Sequence, residues 1–216
     1  MKKVFIFDFD GTFYSGKHKF DKVQLDIEKN RRKFLPKLTD KQYKMICQDN
    51  PRWSNAITGN DIVRCMLKLM KKYTELDINP KDFYLWQNDF IYDIVLDYTQ
   101  VVDAGFIEQL CKEYSVYVVS NSSLKHIHYY MNKLNIDSCW FNGVYANEFK
   151  KEDPTKQQYY KEIMVKENVN SYDIYVIGDS VESDLIPAIH LGMNAFYLDD
   201  AVYIKELVNK IINYNM

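Results

Sequence analysis

The clearest feature of the amino-acid sequence is a set of three short apolar runs that contain no charged residue. They lie at residues 4–7, 116–119 and 174–177. Runs of this length, rich in β-branched and aromatic side chains, are typical of strands that a parallel sheet buries on both faces. From residue 100 onwards, segments with apolar residues at helical spacing alternate with the strands. This alternation predicts an α/β fold with a parallel sheet flanked by helices.

Weaker patterns complete the predicted sheet domain. Helices are expected where apolar residues recur every three or four positions, and two further strands where short apolar stretches are less continuous. The predicted helices are Phe106–Cys111, Ile127–Leu134, Thr155–Lys166 and Leu185–Leu191. The predicted additional strands are Trp140–Tyr145 and Ala195–Leu198. Asp103 is the expected N-cap of the first of these helices.

Residues 15–99 follow a different pattern. Phe13–Gly16 has turn chemistry, which predicts a loop, and the chain after it has apolar residues at helical spacing with hardly a strand between them. Asn60–Leu76 carries the clearest helical period. Four predicted helices of this kind indicate a separate small bundle. We therefore expect two domains, a core formed by residues 1–14 and 100–216 and a helical domain formed by residues 15–99.

Polar residues follow each of the three apolar runs directly. These segments are Asp8-Phe9-Asp10-Gly11-Thr12, Ser120-Asn121-Ser122-Ser123 and Gly178-Asp179-Ser180. The carboxyl ends of parallel strands meet at one edge of the sheet, where ligands bind, so we expect these side chains to lie close together. Asp8 and Asp10 leave an extended chain on the same side, where two unpaired buried charges are unfavourable. A hard cation beside at least one of the carboxylates compensates them.

The residue types at this edge predict phosphate chemistry with magnesium. Asp8, Asp179 and Asp184 offer carboxylate oxygens, which Mg²⁺ prefers, and the absence of a thiol or imidazole among them argues against zinc. The Ser120 hydroxyl, followed by helix amides, is a donor suited to a phosphate group. Lys150-Lys151 lies shortly before a predicted helix and supplies positive charge for the phosphoryl oxygens.

Composition narrows the function classes further. The chain of 216 residues is 47% hydrophobic and 27% charged, which is typical of a globular protein, and its net charge of −2 gives no basic field for nucleic acid or an anionic membrane. Its apolar runs are too short to span a bilayer, and Asp8 interrupts the only run that resembles a secretion signal. The cysteines, Cys47, Cys65, Cys111 and Cys139, form no CxxC pair. They are interpreted as reduced thiols, which favours a cytoplasmic location.

Four segments match, in order, the motifs of the haloacid dehalogenase-like hydrolases. They are Asp8-Phe9-Asp10-Gly11-Thr12, Ser120-Asn121, Lys151-Glu152-Asp153-Pro154 and Gly178-Asp179-Ser180-Val181-Glu182-Ser183-Asp184. The chain resembles this family over about residues 1–14 and 100–216. The resemblance implies a Rossmann-like core with an inserted α-helical cap, which would be residues 15–99 and would close over small substrates.

The resemblance also implies a role for each motif residue. Asp8 would be the nucleophile and Asp10 the general acid and base. The implied magnesium ligands are Asp8, the Asp10 backbone carbonyl and Asp179, with Asp184 supporting them through water or the lysine. The implied substrate-binding residues are Thr12, Ser120, Asn121 and Lys151, and Lys151 would neutralise the phosphate.

One motif departs from the family pattern. Glu152 follows Lys151 where the family usually has proline, and Lys150 is an equally basic neighbour. The spacing to Asp153-Pro154 favours Lys151 over Lys150 as the phosphate-neutralising lysine.

Other polar residues have weaker claims to the site. Glu182 is an alternative to Asp184 as the supporting acid, although the spacing of the family motif favours Asp184. His126 and His128 are two apart on a predicted helix, so they point in different directions and form a poor metal pair. His190 lies on a helix that we predict to belong to the core, and it is interpreted as structural.

Together these expectations predict that the protein is a magnesium-dependent phosphatase. It would act on a small phosphorylated metabolite through an aspartyl-phosphate. In true dehalogenases of the family the second acid is typically absent, so Asp10 favours phosphate chemistry. A phosphomutase that returns the phosphoryl group to a bound sugar is the alternative on the same core. A binding protein with an idle site is a third interpretation, which the complete set of motif residues disfavours.

Overall fold

The structure is a computed structural model that describes residues 2–15, 39, 41, 100–147, 154–198 and 200–213. The strands in this part of the chain are β1 (Val4–Phe7), β2 (Tyr14–Ser15), β3 (Gln100–Val101), β4 (Ser115–Val119), β5 (Gly143–Tyr145), β6 (Ile174–Gly178) and β7 (Asn194–Tyr197). The α-helices are α1 (Ala104–Glu113), α2 (Leu124–Lys133), α3 (Lys156–Glu167), α4 (Ile186–Ile189) and α5 (Ile204–Asn213).

Five of the strands form one parallel sheet in the order β5-β4-β1-β6-β7. Phe7, the last residue of β1, pairs with Val118 on one side and with Ile177 on the other. The three central strands therefore end at the same level. This arrangement confirms the predicted α/β fold with a parallel sheet flanked by helices.

The sheet is buried on both faces at its centre. All four residues of β1 and all five residues of β6 are buried, although successive side chains of a strand point to opposite faces. Tyr117 of β4 and Ile163 of α3 belong to the hydrophobic core on the face that also contains Val4 and Ile6. The unbroken apolar runs in the sequence follow directly from this two-sided burial.

Side-chain caps explain where α1 and α3 begin. Asp103 is the N-cap of α1, as predicted, and its carboxylate accepts from the backbone N–H groups of Gly105 and Phe106. Thr155 caps α3 through a capping box in which its hydroxyl accepts from Gln158 N, while Gln158 Oε1 accepts from Thr155 N. Such caps satisfy N–H groups that lack a partner within the helix.

Two predicted elements differ from those observed. Only Gly143–Tyr145 of the segment Trp140–Tyr145 is a strand, because Asp137 accepts from Cys139 N and opens a 3₁₀ turn over Ser138–Trp140.

The predicted helix Leu185–Leu191 is shorter than expected. A π-helical turn occupies Val181–Leu185, and α4 ends before His190. His190 is exposed, so its predicted position on a core helix is wrong. The chain turns back to the sheet at Gly192, whose φ of 73° favours glycine, and enters β7 two residues later.

Strands β2 and β3 and helix α5 were not predicted. Tyr14–Ser15 pairs with Gln100–Val101 as a short antiparallel ribbon where the sequence predicted a loop. Helix α5 at the carboxyl end buries Ile204, Val208 and Ile211, whose spacing of three or four residues is a helical signal that the sequence analysis overlooked.

The chain divides into two compact units, one formed by residues 1–17 with 99–216 and the other by residues 18–98. All strands and helices described above belong to the first unit. The four helices predicted within residues 15–99 lie almost entirely outside the described residues, so the helical cap stays a prediction.

Two further sequence expectations concern the setting of the protein. Within the described ranges, no helix combines the length and apolar character needed to cross a bilayer. Cys111 and Cys139 are free thiols, whereas Cys47 and Cys65 lie outside the described residues. The cytoplasmic location stays a prediction.

The burial of α3 leads to a test of the core. Ile163 is fully buried, whereas Val165, two positions along the same helix, is 76% exposed. We expect Ile163→Ala to lower the free energy of unfolding by about 2–5 kcal/mol, because it opens a cavity against the sheet. Val165→Ala is the matched control and should change it by less than about 0.5 kcal/mol. Urea unfolding measures both, and equal losses would contradict the placement of α3.

Candidate active site

The carboxyl ends of the three central strands bring three motif residues together. Asp8 follows β1, Ser120 follows β4 and Asp179 follows β6. Backbone hydrogen bonds hold the first two in place, since Asp8 N donates to Ile177 O at 2.9 Å and Ser120 N donates to Tyr145 O at 2.9 Å. The juxtaposition expected from the sequence is therefore present in the structure.

Gly11 allows the loop after β1 to lie against Asp179. Its φ is 83°, and a Cβ atom at this position would overlap the Asp179 carboxylate. The backbone N–H groups of Thr12 and Phe13 both donate to Phe9 O, which closes a tight turn. A side chain at residue 11 would push this turn away from the strand end.

The turn after β6 carries Asp184 back to the end of the strand. Asp184 N donates to Ser180 O at 3.0 Å, and Ser180 N donates to Asp184 Oδ2 at 3.0 Å. A Cβ atom on Gly178 would overlap the Asp184 side chain, so glycine permits this close approach. Asp184 is fully buried, whereas Glu182 on the same turn is exposed. The turn thus presents Asp184, and not Glu182, to the site.

Asp8, Asp179 and Asp184 form an acidic cluster that suits a divalent cation. One carboxylate oxygen from each lies within 4.8 Å of the others. Burial, together with the negative charge of Asp184, raises the pKa of Asp8 well above its usual range, although Lys156 opposes the shift. Oxygen ligands in this crowded arrangement fit Mg²⁺ and would be relieved of mutual repulsion by it.

Lys156 supplies positive charge to this cluster. Its ammonium lies 2.5 Å from Asp8 Oδ1 and 2.6 Å from Asp184 Oδ1, and all three side chains are buried. Burial lowers the pKa of Lys156, but the two carboxylates raise it more, so that it stays above its ordinary value. Lys156 is the first residue of α3, and the capping box at Thr155 fixes the turn from which its side chain reaches the site.

Lys156 is not among the site residues predicted from the sequence. Lys150 and Lys151, the predicted phosphate-neutralising lysines, lie outside the described residues. The sequence did contain a signal for Lys156. A lysine in the first turn of a helix is unfavourable, because its charge lies at the positive end of the helix dipole, unless nearby carboxylates compensate that charge.

Asp10 lies beside the cluster and is held by four donors. His126 Nε2 lies 2.5 Å from Asp10 Oδ1, and the Tyr14 hydroxyl donates to the same oxygen. The hydroxyls of Ser122 and Ser120 donate to Asp10 Oδ2 at 2.6 Å and 3.2 Å. Asp10 therefore has a hydrogen-bonding environment different from that of Asp8, although the two are only two residues apart.

The donors act on the pKa of Asp10. Desolvation by the surrounding protein raises it, but the electrostatic interaction with His126 and the hydrogen bonds from His126, Ser122 and Tyr14 outweigh this effect. The pKa of Asp10 is lowered below its ordinary value. Asp10 is therefore an ionised carboxylate in the resting site.

The remaining motif residues surround these groups. Thr12 is fully buried, and its Oγ1 makes no hydrogen bond to the described residues. Asn121 is partly exposed next to Ser120. The Ser120 hydroxyl accepts from Ser122 N at 3.0 Å. These residues lie at the sheet edge where a phosphate group was predicted.

His126 and Tyr14 are site residues that the sequence analysis missed. His126 was considered only as a partner of His128, which is exposed on the same helix. Tyr14 was placed in a loop. Their contact with Asp10 depends on how α2 and β2 fold back over the strand ends, and this is a tertiary arrangement that local sequence patterns do not contain.

Solved structures with the same fold extend over nearly the whole chain. One is the HAD-hydrolase YfnB from Bacillus subtilis, with 17% identity, a TM-score of 0.62 and coverage of 98% of this chain and 99% of that chain. A predicted phosphoglycolate phosphatase from Haemophilus somnus has 18% identity and a TM-score of 0.63, with 96% and 98% covered. The 2-haloacid dehalogenase from Pseudomonas syringae has 14% identity and a TM-score of 0.54, with 98% and 100% covered. At these identities the likeness shows the fold alone.

The sequence comparisons give the family. No curated protein sequence gives a significant match. The family model for haloacid dehalogenase-like hydrolases matches residues 2–192, and the chain therefore belongs to this hydrolase family.

Proposed function

We propose that this hydrolase is a magnesium-dependent phosphatase that cleaves a small phosphorylated metabolite through an aspartyl-phosphate on Asp8. The observation that carries the proposal is the position of Asp8. It is buried, contacts the Lys156 ammonium, shares a possible cation site with Asp179 and Asp184, and is two residues from the hydrogen-bonded Asp10. A nucleophile, a proton-transfer group and positive charge are the parts that phosphoryl transfer requires.

The acidic cluster supports the choice of magnesium. Asp8 and Asp179 would hold the ion together with the Asp10 backbone carbonyl, and Asp184 would support it through water or through Lys156. When bound, magnesium supplies positive charge next to the phosphoryl oxygens. The similar Bacillus subtilis hydrolase is described as bound to magnesium, which supports the same assignment here.

The first half of the proposed reaction transfers the phosphoryl group to the protein. An Asp8 carboxylate oxygen attacks phosphorus, and the bond between phosphorus and the ester oxygen breaks. As the substrate binds, the negative charge of the phosphate raises the pKa of Asp10, and the carboxylate takes up a proton from water. Asp10 then gives this proton to the leaving oxygen. Lys156 stabilises the charge on the transferring group.

The second half returns Asp8 to its starting state. Asp10, now ionised, takes a proton from a water molecule, whose oxygen attacks phosphorus as the bond to Asp8 breaks. Inorganic phosphate leaves, and Asp10 releases the proton taken from that water to solvent, which restores its ionised resting state. Ser120, Asn121 and Thr12 are the proposed phosphate-binding residues, with Lys151 as a further candidate.

Asp10 also distinguishes phosphatase from dehalogenase chemistry. The structures that share this fold include both a predicted phosphatase and a haloacid dehalogenase, so the fold does not decide between them. Dehalogenation releases halide, which needs no proton from an acid. The four donors around Asp10 indicate that this carboxylate has a function, and proton transfer to an oxygen leaving group is the function that fits.

A panel of phosphorylated metabolites tests the proposal directly. We expect Mg²⁺-dependent release of inorganic phosphate from at least one small phosphate ester, and we expect Asp8→Asn to lower the rate at least about a thousandfold, because an amide is a poor nucleophile of similar shape. Circular dichroism checks that the variant is folded. Retained turnover would contradict the role of Asp8, and an isomerised sugar phosphate without free phosphate would indicate a mutase.

The lysine assignment has a matched set of variants. We expect Lys156→Met to lower kcat about 10²–10³-fold and to weaken inhibition by inorganic phosphate, because a charge beside the transferring group is lost. Lys150→Met and Lys151→Met are the comparisons. If Lys151→Met has the larger effect on both quantities, Lys151 and not Lys156 is the phosphate-neutralising lysine.

Thermal unfolding tests the cation site without any substrate. We expect Mg²⁺ to stabilise the protein by about 2.7 kcal/mol at a free concentration one hundred times its Kd. Asp179→Asn should abolish this effect while leaving the metal-free protein at least as stable, because it removes repulsion from Asp8 and Asp184. Asp173→Asn, before the opposite end of β6, is the control and should keep the full effect. Stabilisation of Asp179→Asn equal to that of the parent would exclude Asp179 as a ligand.

A further inference from the structure

The Asp10 carboxylate is surrounded by donors from three separate segments. Oδ1 lies 2.5 Å from His126 Nε2 and accepts a hydrogen bond from the Tyr14 hydroxyl. Oδ2 accepts from the hydroxyls of Ser122 at 2.6 Å and Ser120 at 3.2 Å. An ionised carboxylate has about four acceptor sites, and this set fills them. The orientation of both oxygens is therefore fixed.

The donors are themselves held in place. The Tyr14 ring stacks on Tyr130 with a centroid distance of 4.5 Å and an interplanar angle of 6°, and the His126 ring lies 4.8 Å from the same tyrosine. Tyr130 is fully buried in α2. Ser123, the N-cap of α2, accepts from His126 N. The strand β2 and the helix α2 thus meet at Tyr130 and present the Tyr14 hydroxyl and the imidazole to Asp10.

The exposure of these side chains shows on which side the donors lie. The Asp10 side chain is 35% exposed, whereas the His126 side chain is 8% exposed. Water alone satisfies a carboxylate with this much exposure. The buried donors also fix the orientation of the carboxylate. A fixed orientation matters for a group that must lie within hydrogen-bonding distance of a substrate atom.

Ser120 differs from the other three donors. Its hydroxyl makes the longest measured contact with Asp10, at 3.2 Å, and it also lies at the strand end where phosphate binding is proposed. If the Ser120 hydroxyl turns to the phosphate, one acceptor site on Oδ2 becomes available to the leaving group. His126, Tyr14 and Ser122 then remain as the three donors that keep Asp10 in place.

We propose that His126, Tyr14 and Ser122 are positioning residues that hold the Asp10 carboxylate in the orientation needed for proton transfer to the leaving oxygen. This inference rests on the proposed phosphatase function. Proton transfer by a positioned group contributes about 10²–10⁴-fold to a rate, and a displacement of about 1 Å costs about 10²-fold. The three residues act on the reaction through Asp10 and do not touch the substrate.

The experiment compares two substrates that differ in their need for an acid. An alkyl phosphate has a poor leaving group, whereas p-nitrophenyl phosphate has a stable leaving anion. We expect His126→Phe to lower kcat/KM for the alkyl phosphate about 100-fold and for p-nitrophenyl phosphate less than about threefold. Tyr14→Phe, which keeps the ring on Tyr130, should show the same selectivity with a smaller loss of about tenfold.

Rescue and control variants separate positioning from a structural effect. Gln places a side-chain N–H close to the position of the imidazole Nε2, so His126→Gln should recover most of the loss on the alkyl phosphate. His128→Phe changes an exposed histidine on the same helix and should leave both substrates unaffected. Failure of the rescue, with equal losses on both substrates, would show that His126 only supports the fold and would overturn the inference.

A double-mutant cycle asks whether His126 acts through Asp10. Asp10→Asn alone should show the selective loss, and adding His126→Phe to it should lower the rate by less than about twofold more, because the carboxylate to be positioned is already gone. An additive loss, or a His126→Phe variant as fast as the parent, would overturn the inference while leaving the phosphatase standing. A parent protein without phosphatase activity, or an Asp10→Asn variant without selectivity, would instead refute the proposed function or the role of Asp10.

Discussion

The contact between the Lys156 ammonium and the carboxylates of Asp8 and Asp184 is the interaction on which the site depends. Three acidic side chains lie close together at the end of a buried sheet, where their mutual repulsion and desolvation are unfavourable. One buried ammonium compensates two of them. Asp179 brings a third negative charge to the same cluster, and in the proposed function a divalent cation would balance it. The arrangement of opposite charges therefore explains why these carboxylates can share one small volume.

The fold makes this concentration of charge possible. Strands β4, β1 and β6 are adjacent and parallel, so the residues that follow them emerge at one edge without any long loop. Gly11 and Gly178 then allow backbone and carboxylate to approach each other more closely than side chains would permit. The apolar strands form the core of the domain, while the polar residues directly after them form the candidate active site. The last apolar residue of each strand is followed directly by a polar residue of the site. The ends of the apolar runs in the sequence therefore indicate where the site lies.

The central strands and the polar residues directly after them were predicted well from the sequence. The side chains that reach the site from other elements were predicted poorly. Uninterrupted apolar runs identify β1, β4 and β6, and the acids and hydroxyls after them identify the edge where they meet. Lys156, Tyr14 and His126 were missed because their distances along the chain say nothing about their contacts. Each reaches the site from an element that first has to pack, namely α3, β2 or α2. The π-helical turn before α4 depends on a five-residue backbone bond, from Leu185 N to Ser180 O, for which the sequence has no simple signature.

Asp8 and Asp10 show how two carboxylates in one loop come to have different environments. Burial and neighbouring acids raise the pKa of Asp8, whereas donors lower the pKa of Asp10. A buried carboxylate with a raised pKa becomes a competent nucleophile when positive charge arrives beside it, because the ionised form is then favoured. In the proposed reaction, this requirement would couple attack by Asp8 to the binding of a cation. Asp10 needs no such partner to ionise, since the protein supplies its donors. The difference between the two pKa values arises from burial and the charge of Asp184 at Asp8, against the opposing effect of Lys156, and from His126, Ser122 and Tyr14 at Asp10.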